Sequence, residues 1–178
     1  VLVRKGTQPS PGHRAGRVDE IRVRIPTVGN GDSRVLYLQG LFTYRAVTQP
    51  SRHVPLLRQT LVEILRGQES RPGSYRYKGI ANVFDSLPTE FLFTASTDTI
   101  TTIIEKVLEA EQEHDVRIHV AQNPSMDGAF VVAALPRARW SDRLRSKVQG
   151  MLVETSGGTV TDHGVYVGRY QTMLVHYY

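Results

Sequence analysis

The chain has 178 residues, of which 40% are hydrophobic and 22% are charged, a composition typical of a globular protein with a buried core. It has no apolar run of the roughly 20 residues that a membrane-spanning helix needs. Cysteine is absent, which excludes disulfides and thiolate-bound metals and fits a cytoplasmic location. Its first apolar stretch is too short for a signal peptide. Because the chain begins without Met and starts inside a predicted strand, we expect it to be part of a longer protein.

The net charge of +5 is unevenly distributed along the chain. Residues 1–60 hold ten Arg or Lys against three acids, whereas residues 61–178 hold twelve against fourteen. A basic segment of this kind can indicate nucleic acid or an acidic partner surface. Here the basic residues alternate singly with apolar ones, as in Arg22-Val23-Arg24. We therefore favour a solvated sheet face over nucleic-acid binding.

Residues 1–48 alternate apolar and polar residues in the manner of strands that are covered on one face. Segments rich in Gly and Pro or Asn interrupt the alternation at residues 6–16 and at Gly29–Asp32, the second of which is typical of a hairpin turn. We predict three antiparallel strands, at residues 1–5, Val18–Ile25 and Val35–Tyr44, with Ile21, Val23 and Ile25 on the half-buried face.

Residues 49–88 have the apolar spacing of two helices. Pro55 suits the first helical turn, where its missing N–H costs nothing, and Gly67 can end that helix. A second helix is predicted over Ser74–Ser86, before Pro88. The residues that define the two apolar faces are Leu57, Leu61, Ile64, Leu65, Ile80, Val83, Phe84 and Leu87.

Residues 89–178 alternate strands and helices, and we predict the order β-α-β-β-α-β-β. This order is α+β and indicates a ferredoxin-like sheet with both helices on one face and one added strand. Ser96 and Ser141 are candidate helix N-caps, and Gly157-Gly158 is a candidate helix stop. The predicted strands are Glu90–Ala95, Val116–Gln122, Phe130–Leu135, Thr159–Val167 and Gln171–Tyr178, and the first of the two helices ends near Glu113.

Motifs that carry chemistry are missing from the sequence. It contains no dinucleotide-binding glycine run after a strand, no P-loop and no nucleophile elbow. Of six histidines, only His163 and His176 have positions that let them meet across the last hairpin, and no third ligand has a clear place beside them. The acids Glu109, Glu111, Glu113 and Asp115 form a helix end of the kind that is ordinarily solvated. We therefore assign no metal ligand and no catalytic residue.

Several segments, in order, resemble the large bacterial NAD-specific glutamate dehydrogenases. Gly40-Leu41-Phe42-Thr43 and Gln49–Arg58 resemble that family's Gly-Leu-Phe-Thr run and its Pro-Arg-x-Ile-Pro-Leu-Leu-Arg run. Further resemblance lies in Gly73-Ser74, Ala81-Asn82-Val83, Pro88–Ser96 and Val131–Arg139. The chain departs from the pattern at Pro50-Ser51, and at Thr99, where a Glu often completes a capping box.

The resemblance implies a parent enzyme that deaminates L-glutamate to 2-oxoglutarate and ammonia with NAD+. It also implies that this chain lies before the catalytic domain and holds no catalytic or NAD-binding residue. On that basis residues 1–48 end a PAS-like sheet domain, residues 49–88 are a helical connector, and residues 89–178 form an ACT-like domain. The implied partners are the rest of the parent chain and the other subunits of a homo-oligomer.

ACT-like domains often bind amino acids at a strand-to-helix loop or between paired domains, and the resemblance places that loop at Ser96, Thr97 and Asp98. Free N–H groups and the helix dipole favour a carboxylate there, although simple helix capping explains the same residues. The sequence supports three hypotheses. The chain is a non-catalytic regulatory and assembly segment of the dehydrogenase, a stand-alone amino-acid sensor, or, least favoured, an RNA-binding domain that lacks the paired aromatics on its central strands.

Overall fold

The computed structural model describes residues 1–10, 17–26, 34–123, 128–160, 163–168 and 172–177. Within these ranges two antiparallel sheets and several helices form an α+β protein, so the predicted class is confirmed. None of the described helices is both long enough and apolar enough to cross a bilayer. The predicted turn at Gly29–Asp32 and most of the loop before Gly128 lie outside the described residues.

The first sheet is an antiparallel meander of β1 (Leu2–Pro9), β2 (Arg17–Ile25) and β3 (Arg34–Gly40). The three predicted strands are therefore confirmed. The loop predicted from residue 6 is wrong over residues 6–9, because β1 continues to Pro9 through an irregular register with β2. The strand predicted to reach Tyr44 ends at Gly40, where the backbone N–H of Phe42 instead donates to Asp19 Oδ2 at 2.7 Å.

A helical segment follows the first sheet. It contains α1 (Tyr44–Val47), a short 3-10 helix, α2 (Pro55–Gly67) and α3 (Tyr75–Ser86). The two predicted helices are confirmed, with Pro55 in the first turn of α2 and the Ser74 side chain accepting from the Tyr77 N–H. Seven of the eight predicted apolar residues are buried, and Leu61 is partly buried against the same core.

The strand predicted at Glu90–Ala95 is wrong, because this segment is the helix α4 (Thr89–Thr94). The neighbours Phe91 and Leu92 are both buried, which a strand beside a single core would not permit since successive side chains point to opposite faces. Phe91 stacks on Phe130 with ring centroids 3.9 Å apart. A run of three apolar residues is too short for its period to distinguish a helix from a strand.

The remaining elements are α5 (Thr97–Glu113), β4 (Arg117–Asn123), β5 (Gly128–Pro136), α6 (Asp142–Ser156), β6 (His163–Val167) and β7 (Thr172–Tyr177). Gly157 ends α6 in the left-handed conformation, as predicted. The strands have the order β4-β5-β7-β6, and every neighbouring pair is antiparallel. The predicted order from residue 89 is therefore replaced by α-α-β-β-α-β-β, and β7 lies beside β5 where an initial strand of a ferredoxin-like sheet would pair.

The helices α5 and α6 cover opposite faces of this second sheet, so the prediction of both on one face is wrong. Val132, Ala134 and Leu174 pack into the core that contains α5. Their neighbours Val131 and Val175 pack against apolar residues of α6. The physical reason is that β5 and β7 carry apolar side chains on both faces, and each face needs a cover.

Candidate functional site

The predicted effector residues lie at the start of α5, in the loop that follows a helix rather than a strand. Ser96 caps this helix, because its Oγ accepts from the Thr99 N–H at 3.1 Å and lies 2.8 Å from Thr99 Oγ1. Thr97 is half-buried, whereas Asp98 is exposed in the first turn. Thr99 thus takes part in the cap through both its backbone N–H and its hydroxyl. Amino-acid binding at these three residues stays a prediction.

A separate cavity of about 40 Å³ lies near the opposite end of α5, between α3, α5 and the ends of β6 and β7. Each of these elements contributes both polar and apolar atoms to its lining. The lining residues are Tyr75, Lys78, Gly79, Asn82, Val83, Ser86, Val107, Glu111, Tyr166, Gly168, Thr172 and Leu174.

The α3 wall is a single helical face, because its lining residues recur at spacings of three and four. Gly79 lets this wall approach α5 closely. A Cβ built at Gly79 would lie 3.0 Å from Leu108 Cδ2, tighter than an ordinary contact. Lys78 is exposed and Asn82 is half-buried, and both line the cavity next to this close approach.

Glu111 brings a carboxylate into the cavity from α5. It is half-buried, and this burial raises its pKa above the ordinary value. A Cβ built at Gly168 would lie 2.8 Å from Glu111 Oε1, so the carboxylate sits directly against the Gly168 backbone. Among the described residues no cation forms an ion pair with Glu111 within 4.0 Å, although Lys78 lines the same cavity.

The neighbouring acids of the same helix end behave differently from Glu111. Glu109 pairs with Lys106 at 2.8 Å, and this hydrogen bond lowers the pKa of the Glu109 carboxyl. Asp115 pairs with Arg117 at 2.8 Å, which lowers its pKa in the same way. The prediction of a solvated acidic helix end describes these residues well but does not describe Glu111.

The histidines do not form a metal site in the described part of the chain. His163 lies opposite Tyr177 and His176 lies opposite Gly164, so the two imidazoles occupy different faces of the sheet. His163 Nε2 lies 3.1 Å from Arg145 Nη1, and His176 lies beside Phe130. Within the described ranges no group of three or more His, Cys, Asp or Glu is placed to hold a metal.

Comparison with known proteins identifies the relatives of this chain. Residues 54–113, which span α2 to α5, match the family model described as glutamate dehydrogenase, helical motif 1. The NAD-specific glutamate dehydrogenase of Pseudomonas aeruginosa is 24% identical over 153 residues, which is 84% of this chain and 9% of that enzyme. The NAD-specific glutamate dehydrogenase of Halomonas elongata is 23% identical over 137 residues, 77% of this chain and 8% of that enzyme.

The resemblance to the NAD-specific glutamate dehydrogenases is confirmed. The chain spans less than a tenth of the length of these two relatives. No solved structure matches it. The α3 and α5 walls of the cavity lie inside the matched glutamate dehydrogenase motif, whereas the walls from β6 and β7 lie outside it.

Sequence reasoning placed no site at this cavity, although one signal was present. Glu111 follows Val107 by four positions and Ile104 by seven, so it continues the apolar stripe of α5. A charged residue on the buried face of a helix indicates a special environment. The acidic residues around Glu111 concealed this signal.

Proposed function

We propose that this chain is a non-catalytic regulatory and assembly segment of an NAD-dependent glutamate dehydrogenase. The proposal rests on the two relatives. Their aligned regions cover most of this chain, whereas the chain covers less than a tenth of each relative. In this proposal the parent converts L-glutamate to 2-oxoglutarate and ammonia. NAD binds elsewhere in the parent, and this chain contacts the remaining domains and the other subunits.

Packing within the chain supports an assembly role. One core joins the helical motif to the second sheet, with Leu57 of α2, Phe84 of α3, Ile103 of α5 and Phe130 of β5 among its buried members. Close-packed cores transmit displacement instead of absorbing it. A displacement of the helical motif would therefore also displace the sheet. A regulatory segment requires such coupling.

The first test is an assay of this chain for glutamate-dependent reduction of NAD+, followed at the absorbance of NADH. We expect no NADH above the blank, whereas a full-length relative in the same assay provides the positive control. Turnover by the isolated chain would overturn the non-catalytic assignment.

The second test uses the full-length enzyme. Deletion of the segment should change the oligomeric state or the glutamate dependence of the rate, and an unchanged enzyme would contradict the regulatory role.

A second candidate is a stand-alone amino-acid sensor. It is favoured by the cavity whose lining carries one carboxylate and one ammonium group, Glu111 and Lys78. The predicted site at Ser96, Thr97 and Asp98 belongs to the same candidate. Because the Ser96 hydroxyl already caps the helix, an effector carboxylate there would use the first-turn backbone N–H groups. Loss of binding in Asp98→Ala with a normal melting temperature would locate the effector at that end of α5.

A further inference from the structure

We propose that the cavity between α3, α5 and the ends of β6 and β7 binds a small zwitterion of the α-amino-acid type. Glu111 receives its ammonium group and Lys78 receives its carboxylate. The site is distinct from the predicted one at Ser96, because the two lie at opposite ends of α5. Its regulatory consequence rests on the proposed function, whereas binding itself can be tested without enzyme activity.

The state of Glu111 is the first argument. A half-buried carboxylate is costly unless a cation or several donors compensate it. Lys106 and Arg117 compensate the nearby acids, yet no described cation pairs with Glu111. The apolar residues Val107 and Leu174 line the same cavity. A ligand ammonium group would supply the missing counter-charge and restore the ordinary ionisation of this carboxyl.

The α3 wall supplies the complementary groups. Lys78 and Asn82 are one helical turn apart on the face that lines the cavity. A lysine ammonium is a point charge suited to a carboxylate, and an asparagine amide can both donate and accept. One cavity thus offers a negative and a positive group, the pattern that matches a zwitterion and disfavours a simple anion or a simple cation.

The size of the cavity limits the ligand. A water molecule needs about 10–15 Å³ of this kind of volume, so about 40 Å³ accommodates a group as small as the head of an amino acid. This volume is far smaller than a nucleotide or a dinucleotide. Val83, Val107 and Leu174 provide the apolar surface that short aliphatic carbons would contact.

The test is calorimetric titration of this chain with glycine, L-alanine, L-glutamate and L-arginine, with glycolate and L-lactate as matched acids that lack the ammonium group. We expect saturable binding of at least one amino acid and at least about tenfold weaker binding of the hydroxy acids, which leave Glu111 unpaired. Glu111→Gln and Lys78→Gln should each weaken that binding by about tenfold or more. Glu113→Gln is the matched control, because Glu113 lies two positions after Glu111, is exposed and does not line the cavity, so its loss should leave the affinity unchanged.

The melting temperature of each variant separates folding from binding. Glu111→Gln should keep or raise the melting temperature, since it removes a half-buried charge. Absence of binding by every amino acid, equal affinity for the hydroxy acids, or unchanged affinity in folded Glu111→Gln and Lys78→Gln would overturn the proposal. Binding to this chain that leaves the rate of the full-length dehydrogenase unchanged would retain the site and reject the regulatory function.

Discussion

The two sheets of this chain differ in what covers them. In the second sheet β5 and β7 lie between α5 and α6, and Phe130 and Val132 are almost fully buried. In the first sheet every residue of β3 is exposed, and the exposed fraction of the apolar residues Val35–Leu38 is between 44% and 56%. Apolar strand sequence is thus common to both sheets, and only helical cover converts it into a core.

The same contrast appears in two buried or half-buried glutamates. In the first sheet Glu20 accepts from Arg4 at 2.9 Å, and hydrogen bonds from Tyr37 and Arg4 hold its pKa below the ordinary value. In the second region burial raises the pKa of Glu111, and no cation among the described residues offsets this burial. Paired charges thus accompany the buried carboxylate of the first sheet, whereas the half-buried carboxylate beside the second sheet has no described counter-charge.

The largest expected effect separates the cores of the two sheets. Phe130→Ala should lower the free energy of unfolding by about 3–5 kcal/mol, because it leaves a cavity beside Phe91 in the main core. Leu36→Ala on exposed β3 should change it by less than about 0.5 kcal/mol. Urea unfolding of both variants measures the difference. Similar losses would mean that β3 is covered in solution and that the contrast between the sheets is wrong.

A smaller effect is expected in the segment that joins the two sheets. The Ser51 N–H donates to Asp85 Oδ1 at 3.0 Å and holds the short 3-10 helix before α2 against α3. Asp85→Ala should cost about 1–3 kcal/mol of unfolding free energy, since it leaves this donor unpaired. Asp85→Asn, which keeps an acceptor oxygen, should cost less. Equal losses in the two variants would show that the charge of Asp85, and not this bond, is what matters.

The sequence predicted α2, α3 and α5 well because their apolar residues recur at helical spacing over three turns or more. It failed at α4, because the run Phe91-Leu92-Phe93 is too short to show a period and because Phe91 stacks on Phe130, a contact that is distant in the sequence. It also failed to place α6 on the correct face of the second sheet, since β5 is apolar on both faces and its sequence does not indicate which helix packs on which face. The cavity at Glu111 was not predicted, because its walls come from segments as distant in the sequence as Tyr75 and Leu174.

Helix capping should give the next effect in size. Ser96→Ala and Ser141→Ala each remove a side-chain acceptor from the first turn of a long helix and should each cost about 1 kcal/mol. Ser96→Ala should cost more than Ser141→Ala, because α5 packs into the main core and α6 has no buried residue. Thermal or urea unfolding of the two variants provides the measurement. A larger loss in Ser141→Ala would indicate that α6 is covered by another surface in solution.

The smallest effect is the pH dependence of the two glutamates, which should have opposite signs. Glu20 has a lowered pKa, so its stabilisation is present above the ordinary value of 4.5 and is lost as the pH falls through the lowered pKa. Glu20→Gln should therefore be less stable than the parent at neutral pH and should approach it in acid.

Glu111 has a raised pKa, so the loss of stability that its charge causes begins as the pH rises above 4.5 and is complete above the raised pKa. Glu111→Gln should match the parent in acid and exceed its stability at neutral pH. Melting temperatures of the parent and both variants from pH 3 to pH 8, a range set by these ordinary and shifted values, decide the point. The same sign for both variants would mean that Glu111 has a cationic partner in solution, and the ammonium group assigned to the cavity ligand would then have no place.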